Sequence, residues 1–172
     1  MPSEINSDSF KLVTISYRSE AQLSDRWHDL VSLLEVSKLR NAASDVTGVL
    51  LFDGTYFLQT IEGPSQGTKR IFAKILQDHR HKNIKSFEMQ EIEERDFPDW
   101  HMELITSDET SRIVADMGSL EFSYRRLREV QAMSVDVMRQ RENTIVSPHF
   151  SGRSEPFEDD VSGDSNEPIG NA

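Results

Sequence analysis

The chain has 172 residues, a formal net charge of −11, an apolar fraction of 36 % and no cysteine. The missing thiols exclude disulfides, thiolate chemistry and Cys-type zinc sites, and a reducing cytoplasm is the expected compartment. The acidic balance argues against nucleic acid as a partner, no run approaches the roughly 18 apolar residues of a membrane span, and MPSEINSDSF lacks the basic-then-apolar pattern of a secretory signal.

Residues 1–9 read as a flexible leader. KLVTISY (11–17) predicts a strand with Val13, Ile15 and Tyr17 on one face. A helix is expected over 23–41, with Ser24 as N-cap and Leu23, Trp27, Leu30 and Leu34 turned inward. VTGVLLF (46–52) and TYFLQTI (55–61) are strands joined by Asp53-Gly54, a short hairpin signal. Pro64 opens a second helix, 64–78, with Ile71, Phe72, Ile75 and Leu76 inward. Strands follow at 83–92 and, after the turn DFPD, at 100–106. The order βαββαβ plus a fifth strand predicts an α+β, ferredoxin-like sandwich, with two helices on one face of a mostly antiparallel sheet.

Two C-terminal helices are expected, at 108–117 and 119–142, separated by Gly118. In the second, Leu120, Tyr124, Leu127, Val130, Met133 and Val137 recur three or four apart, while Arg125, Arg126, Arg128, Arg139 and Arg141 look solvated. A stripe this apolar needs cover, so the helix should pack on the free sheet face or on a neighbouring subunit. Ser147 to Ala172 hold six acids and one Arg among Ser, Gly and Pro. Such a segment buries too little apolar surface to offset its ordering entropy. The expected organisation is a leader (1–9), a ligand-binding domain (10–106), a helical extension (107–142) and an acidic, disordered tail (143–172).

The informative residues are polar ones inside apolar elements. Gln59 sits in the middle of a buried strand, and an unpaired buried amide costs about 1–3 kcal/mol, so it has a partner in protein, water or ligand. Tyr17 reads equally as a core residue with a satisfied hydroxyl, Asn41 as a helix C-cap, and Trp100 and Met102 as ordinary packing. In DHRH (78–81), His79 and His81 follow a helix C-terminus, where cations are favoured. No second ligand cluster supports a metal. EGPSQG lacks phosphate-loop spacing, no Ser-His-Asp arrangement stands out, and Glu91, Glu93 and Glu94 read as a solvated run. Enzymatic turnover is not expected.

Taken jointly, the Tyr ending strand one, LRNAASDVTGVLLFDGTYFLQTIEGP, QDHRH after helix two and ERDFPDWHMEL before strand five resemble the BLUF family of flavin-binding blue-light sensors. The resemblance covers about residues 10–106, with the motifs in the family's order. It implies non-covalent FAD between the two helices that pack on the sheet. Gln59 matches the glutamine that bridges flavin and a tyrosine, Tyr17 matches that tyrosine, and Asn41 matches the asparagine on the ring's pyrimidine edge. Leu33 and Ile75 match aliphatic residues that sandwich the ring. Lys74 and Asp78 fall where the family faces the dinucleotide part, and Arg80 and His81 match a segment near its phosphate or adenine side. Arg40 departs from the Asn or His of many members. Trp100 and Met102 match a pair whose exchange between inner and outer positions is disputed, and the sequence leaves that choice open.

The resemblance further implies light-driven, proton-coupled electron transfer from Tyr17, with the Gln59 amide left rearranged and no covalent adduct formed. The signal would leave through strand five, with Trp100 and Met102, into the C-terminal helices. The expected output is altered association with another copy or with a downstream protein. Two other classes compete: a light-independent ferredoxin-like interaction module, against which Tyr17, Gln59 and Asn41 speak, and an acylphosphatase-type enzyme, whose Arg-in-loop and Asn pairing is not evident.

Overall fold

A computed structural model describes residues 11–106 and 124–145. Within them lie β1 (Leu12–Ala21), α1 (Arg26–Ala42), β2 (Thr47–Phe52), β3 (Tyr56–Pro64), α2 (Ser65–Ile75), β4 (His81–Ser86), β5 (Gln90–Glu91), β6 (Glu103–Thr106) and a long α3 (Tyr124–Ile145). One six-stranded sheet runs β4-β1-β3-β2-β6, with β5 also on β1. Pairing is antiparallel except for the parallel edge strand β6 on β2. The expected α+β sandwich is therefore the observed fold.

Local chemistry explains the element ends. Asp25, not Ser24, caps α1: its side chain accepts from the His28 amide. Asp29, in the first turn, accepts from the Ser24 amide and hydroxyl and from the Asp25 amide, which satisfies donors that a helix start otherwise leaves unpaired. The Asp53-Gly54 turn forms as read, with Gly54 at φ 97° and the Asp53 carboxylate accepting from the Thr55 and Tyr56 amides at 2.8 and 2.6 Å. The expected single strand over 83–92 is two, β4 and β5, because residues 87–89 leave the ladder on β1 between the Tyr17–Ser86 and Thr14–Gln90 pairs. Trp100 and Met102 precede β6 rather than begin it.

The sheet carries a core on each face. Toward α1 and α2 lie Ile15, Leu50, Phe57, Ile61 and Met102, packed with Leu30 and Ile71. Toward α3 lie Val49, Leu51, Leu58, Phe97 and Ile105, packed with Val130 and Met138. The C-terminal helix thus covers the free sheet face within its own chain. The stripe is corrected in detail: Met133 and Val137 are half-buried, while Gln131, Ser134 and Met138 are buried. Arg141 is half-buried and donates to the Leu104 carbonyl at 3.1 Å. Two outward residues also correct the helix readings, Trp27 at 70 % exposed and Leu76 at 53 %. Leu76 is the C-cap of α2, where the turn ends. The leader, the helix expected at 108–117 and residues 146–172 lie outside the described residues.

Candidate functional site

The register of β1 on β3 builds the site. Tyr17 stands directly opposite Gln59, both buried, on the face toward α1 and α2. The Tyr17 hydroxyl donates a short hydrogen bond to Gln59 Oε1. Gln59 Nε2 donates to the Met102 thioether at 3.2 Å. That sulfur is a weak acceptor, so the amide nitrogen is poorly paired by protein. Burial, reinforced by the charge of Asp78, pushes the Tyr17 hydroxyl far above the usual phenol range. Tyr17 is therefore a neutral donor at any physiological pH.

Gln59 opens into a cleft between α1 and α2 lined also by Ser37, Arg40, Asn41, Ile71, Lys74, Ile75, Asp78 and Arg80. Its empty volume, mouth included, is about 370 Å³. Seven of the expected residues thus converge: Arg40, Asn41, Gln59, Lys74, Ile75, Asp78 and Arg80. Leu33 packs against the apolar cluster beneath and is not part of the lining. Asn41 lies inside the last turn of α1, so it is not the C-cap, which is Ala43. Its Nδ2 donates to the His101 carbonyl, tying α1 to the segment that carries Met102.

His81 stands behind the cleft. Its Nε2 lies 3.1 Å from the Ile75 carbonyl and its Nδ1 2.9 Å from Ser19 Oγ. A carbonyl only accepts, so Nε2 carries the proton and Nδ1 accepts from Ser19. Burial holds the His81 pKa below its ordinary value, consistent with a neutral ring. Arg80 forks onto Asp78 through Nε and Nη2, which lowers the Asp78 carboxyl to about 2. That pair sits at the cleft mouth, where Arg40, Lys74, Gln77 and His79 extend the groove outward.

Met102 and Trp100 occupy opposite sides. Met102 is 1 % exposed and touches the Gln59 amide. Trp100 is half-buried and packs on the α3-facing cluster, its ring 6.3 Å from that of Phe97. Sequence reasoning missed two lining residues, Ser37 and Ile71. Ser37 falls four residues from both Leu33 and Asn41 along α1, a spacing that marks one helix face. Glu62 was also missed: it is 1 % exposed, on the α3 side of β3, and accepts from the Asp96 and Phe97 amides at 2.9 and 3.2 Å.

The cleft thus joins aliphatic walls from Ile71 and Ile75, the Asn41 and Gln59 amides and the cations of Arg40, Lys74 and Arg80. The family model for BLUF, sensors of blue light using FAD, matches residues 12–103, and the chain belongs to that family. The blue light- and temperature-regulated antirepressor BluF of Escherichia coli (strain K12) is 34 % identical over 116 residues, 64 % of this chain and 29 % of that protein. The photoactivated adenylate cyclase subunit alpha of Euglena gracilis is 38 % identical over 85 residues, 49 % of this chain and 8 % of its own. The chain therefore spans less than a third of these curated relatives. Among solved structures, the dark-state structure of the BLUF protein BlrB superposes with a TM-score of 0.69 at 33 % identity, covering 74 % of this chain and 98 % of that one.

Proposed function

We propose that this blue-light-sensing flavin domain binds FAD non-covalently in the α1/α2 cleft and converts light into a rearranged Gln59 amide. The observation that carries the reading is the buried Tyr17–Gln59–Met102 chain of contacts at the cleft floor. Bound flavin supplies the chromophore and, once excited, the oxidising power. Ile71 and Ile75 would flank the ring, with Leu33 in the apolar cluster beneath; Asn41 and Gln59 would meet its polar edge, and Arg40, Lys74, Asp78 and Arg80, with His81 behind them, would serve the dinucleotide part.

Tyr17 is the donor of an electron and a proton, and its proton leaves along the hydrogen bond to Gln59 Oε1. Both return on recombination. The lasting change is in the Gln59 amide, which offers two donors and two acceptor sites. A rotated or tautomerised amide makes different bonds to Tyr17, to the ring edge and to Met102. Because the Met102 thioether is a weak acceptor, losing its contact costs little, and the amide is free to reorganise. Met102 leads into β6, and Trp100 lies against the α3-facing cluster, so the output runs from strand to helix. That output is altered self-association or binding to a downstream protein in the cytoplasm, without enzymatic turnover by this domain.

A light-minus-dark absorption spectrum of FAD-loaded protein tests the reading. A small red shift of the flavin bands that reverses in darkness is expected. Protein that takes up no FAD, or takes it up without any shift, overturns it.

A further inference from the structure

Helix α3 places an amide among the buried polar groups of the sheet face it covers. Gln131 is 6 % exposed, and its Nε2 donates to Ser16 Oγ at 3.0 Å and to Thr60 Oγ1 at 3.2 Å. Ser16 and Thr60 are 3 % and 2 % exposed and hydrogen-bond each other at 2.8 Å. Around them lie Val49, Leu51, Leu58 and Val130. Among the described residues, Gln131 Oε1 accepts a long, 3.5 Å contact from Arg128. The cluster ties α3 to the two central strands by directional bonds that an apolar contact would not make.

Its position in the sheet suggests a role for that tie. Ser16 is paired with Thr60, and the next rung of the same ladder pairs Tyr17 with Gln59. Successive side chains of a strand point to opposite faces. One rung therefore meets the cleft and the adjacent rung meets α3, with a single peptide on each strand between them. A shift of β1 against β3 that accommodates a reorganised Gln59 also moves Ser16 against Thr60. The hydroxyl pair has two proton orders, Ser16 donating to Thr60 or the reverse, and the two hydrogens of Gln131 Nε2 hold both oxygens in place. Such a cluster is a two-state element that a local hydrogen-bond change can bias.

We propose that Gln131 is a positioning residue through which α3 is coupled, straight across the sheet, to the Tyr17–Gln59 pair. The proposal rests on the photochemical reading of that pair. This route is separate from the one along Met102 and β6, since it uses β1 and β3 and no residue of the cleft lining other than Gln59. Coupling is mutual, so a change at Gln131 is felt at the chromophore and light is felt at α3.

The test uses the full chain loaded with FAD, as wild type, Gln131→Leu, Thr60→Val and Thr60→Ser. Gln131→Leu removes the amide. Thr60→Val removes one hydroxyl at constant shape and keeps the proposal testable should the first variant fold poorly. Thr60→Ser keeps the hydroxyl. Two quantities are read: the dark-recovery rate of the red-shifted state, and the light-induced change in hydrogen exchange over residues 128–141. In wild type, light should change exchange there by roughly fivefold or more, the lower end of usual coupling. Leucine and valine should abolish most of that change and alter the recovery rate, while leaving the red shift in place. Serine should behave as wild type. A red shift accompanied by no light-dependent exchange in wild type, or by an unaltered response in both Gln131→Leu and Thr60→Val, overturns the coupling alone. No red shift in wild type overturns both the coupling and the photochemical reading beneath it.

Discussion

At the scale of single residues, the pair Tyr17 and Gln59 carries the proposed photochemistry and Glu62 carries a cost. Tyr17→Phe removes the hydroxyl bonded to Gln59 Oε1, and Gln59→Leu removes the amide at nearly constant volume, which cores tolerate. Each variant should keep flavin bound and lose the reversible red shift, as a light-minus-dark spectrum would read. A variant with the wild-type spectrum assigns the photochemistry elsewhere. Glu62 is different in kind. Burial lifts its carboxyl from 4.5 to about 7, against the two amides that favour its charge. The folded state therefore holds a proton that the unfolded state releases, and Glu62 costs stability as pH rises from about 4.5 to about 7. The full effect is of order 3 kcal/mol above that window. Glu62→Gln should accordingly be more stable than wild type at pH 8 and close to it at pH 5. Chemical unfolding at the two pH values measures this, and an equal effect at both would place the Glu62 pKa back in the ordinary range.

At the scale of elements, the cleft depends on how closely α2 approaches the turn after α1. Gly67 in α2 allows it, because a Cβ there would stand 2.3 Å from the Ser44 carbonyl oxygen. Its backbone is ordinary, so Gly67→Ala should gain about 1 kcal/mol from helix propensity alone. The steric conflict with backbone opposes this, and α2 must move outward. The helix carries Ile71, Lys74 and Ile75 of the cleft lining. We expect net destabilisation together with weaker FAD binding, measurable by thermal unfolding and by titration with FAD. A more stable Gly67→Ala protein with unchanged affinity would mean that the turn yields freely.

At the scale of the whole molecule, two cores share one sheet, and the cleft opens on the side of α1 and α2. On the α3 side the sheet is covered by a helix of its own chain. On the other side α1 buries fully only Leu30 and Asn41, which leaves the cleft between the helices for a ligand. FAD binding should therefore add to stability by mass action, about 2.7 kcal/mol at a hundredfold excess over Kd. For a chain of this size that corresponds to a rise in Tm of roughly 5–10 °C. A melt with and without added FAD reads it directly, and an unchanged Tm at saturating FAD would show that the unfolded chain binds equally well.

The sequence determined the α+β order and the Asp53-Gly54 hairpin, because alternation and turn chemistry are local properties, and its resemblance to the BLUF family pointed to most of the cleft lining. It also marked Gln59 as a residue needing a partner, since a polar group in a buried strand is costly wherever the chain runs. Tertiary structure decided what depends on register and on which faces meet. The ladder set Tyr17 against Gln59 and Ser16 against Thr60. Packing turned Met102 toward the amide and Trp100 toward α3. The helical stripe hid the part played by Gln131 because a buried polar residue is recognisable only once its partners, more than a hundred positions away in the case of Ser16, have been brought to it. Trp27 reads as core by spacing and lies outside, since periodicity defines a helix face but not the element that covers it.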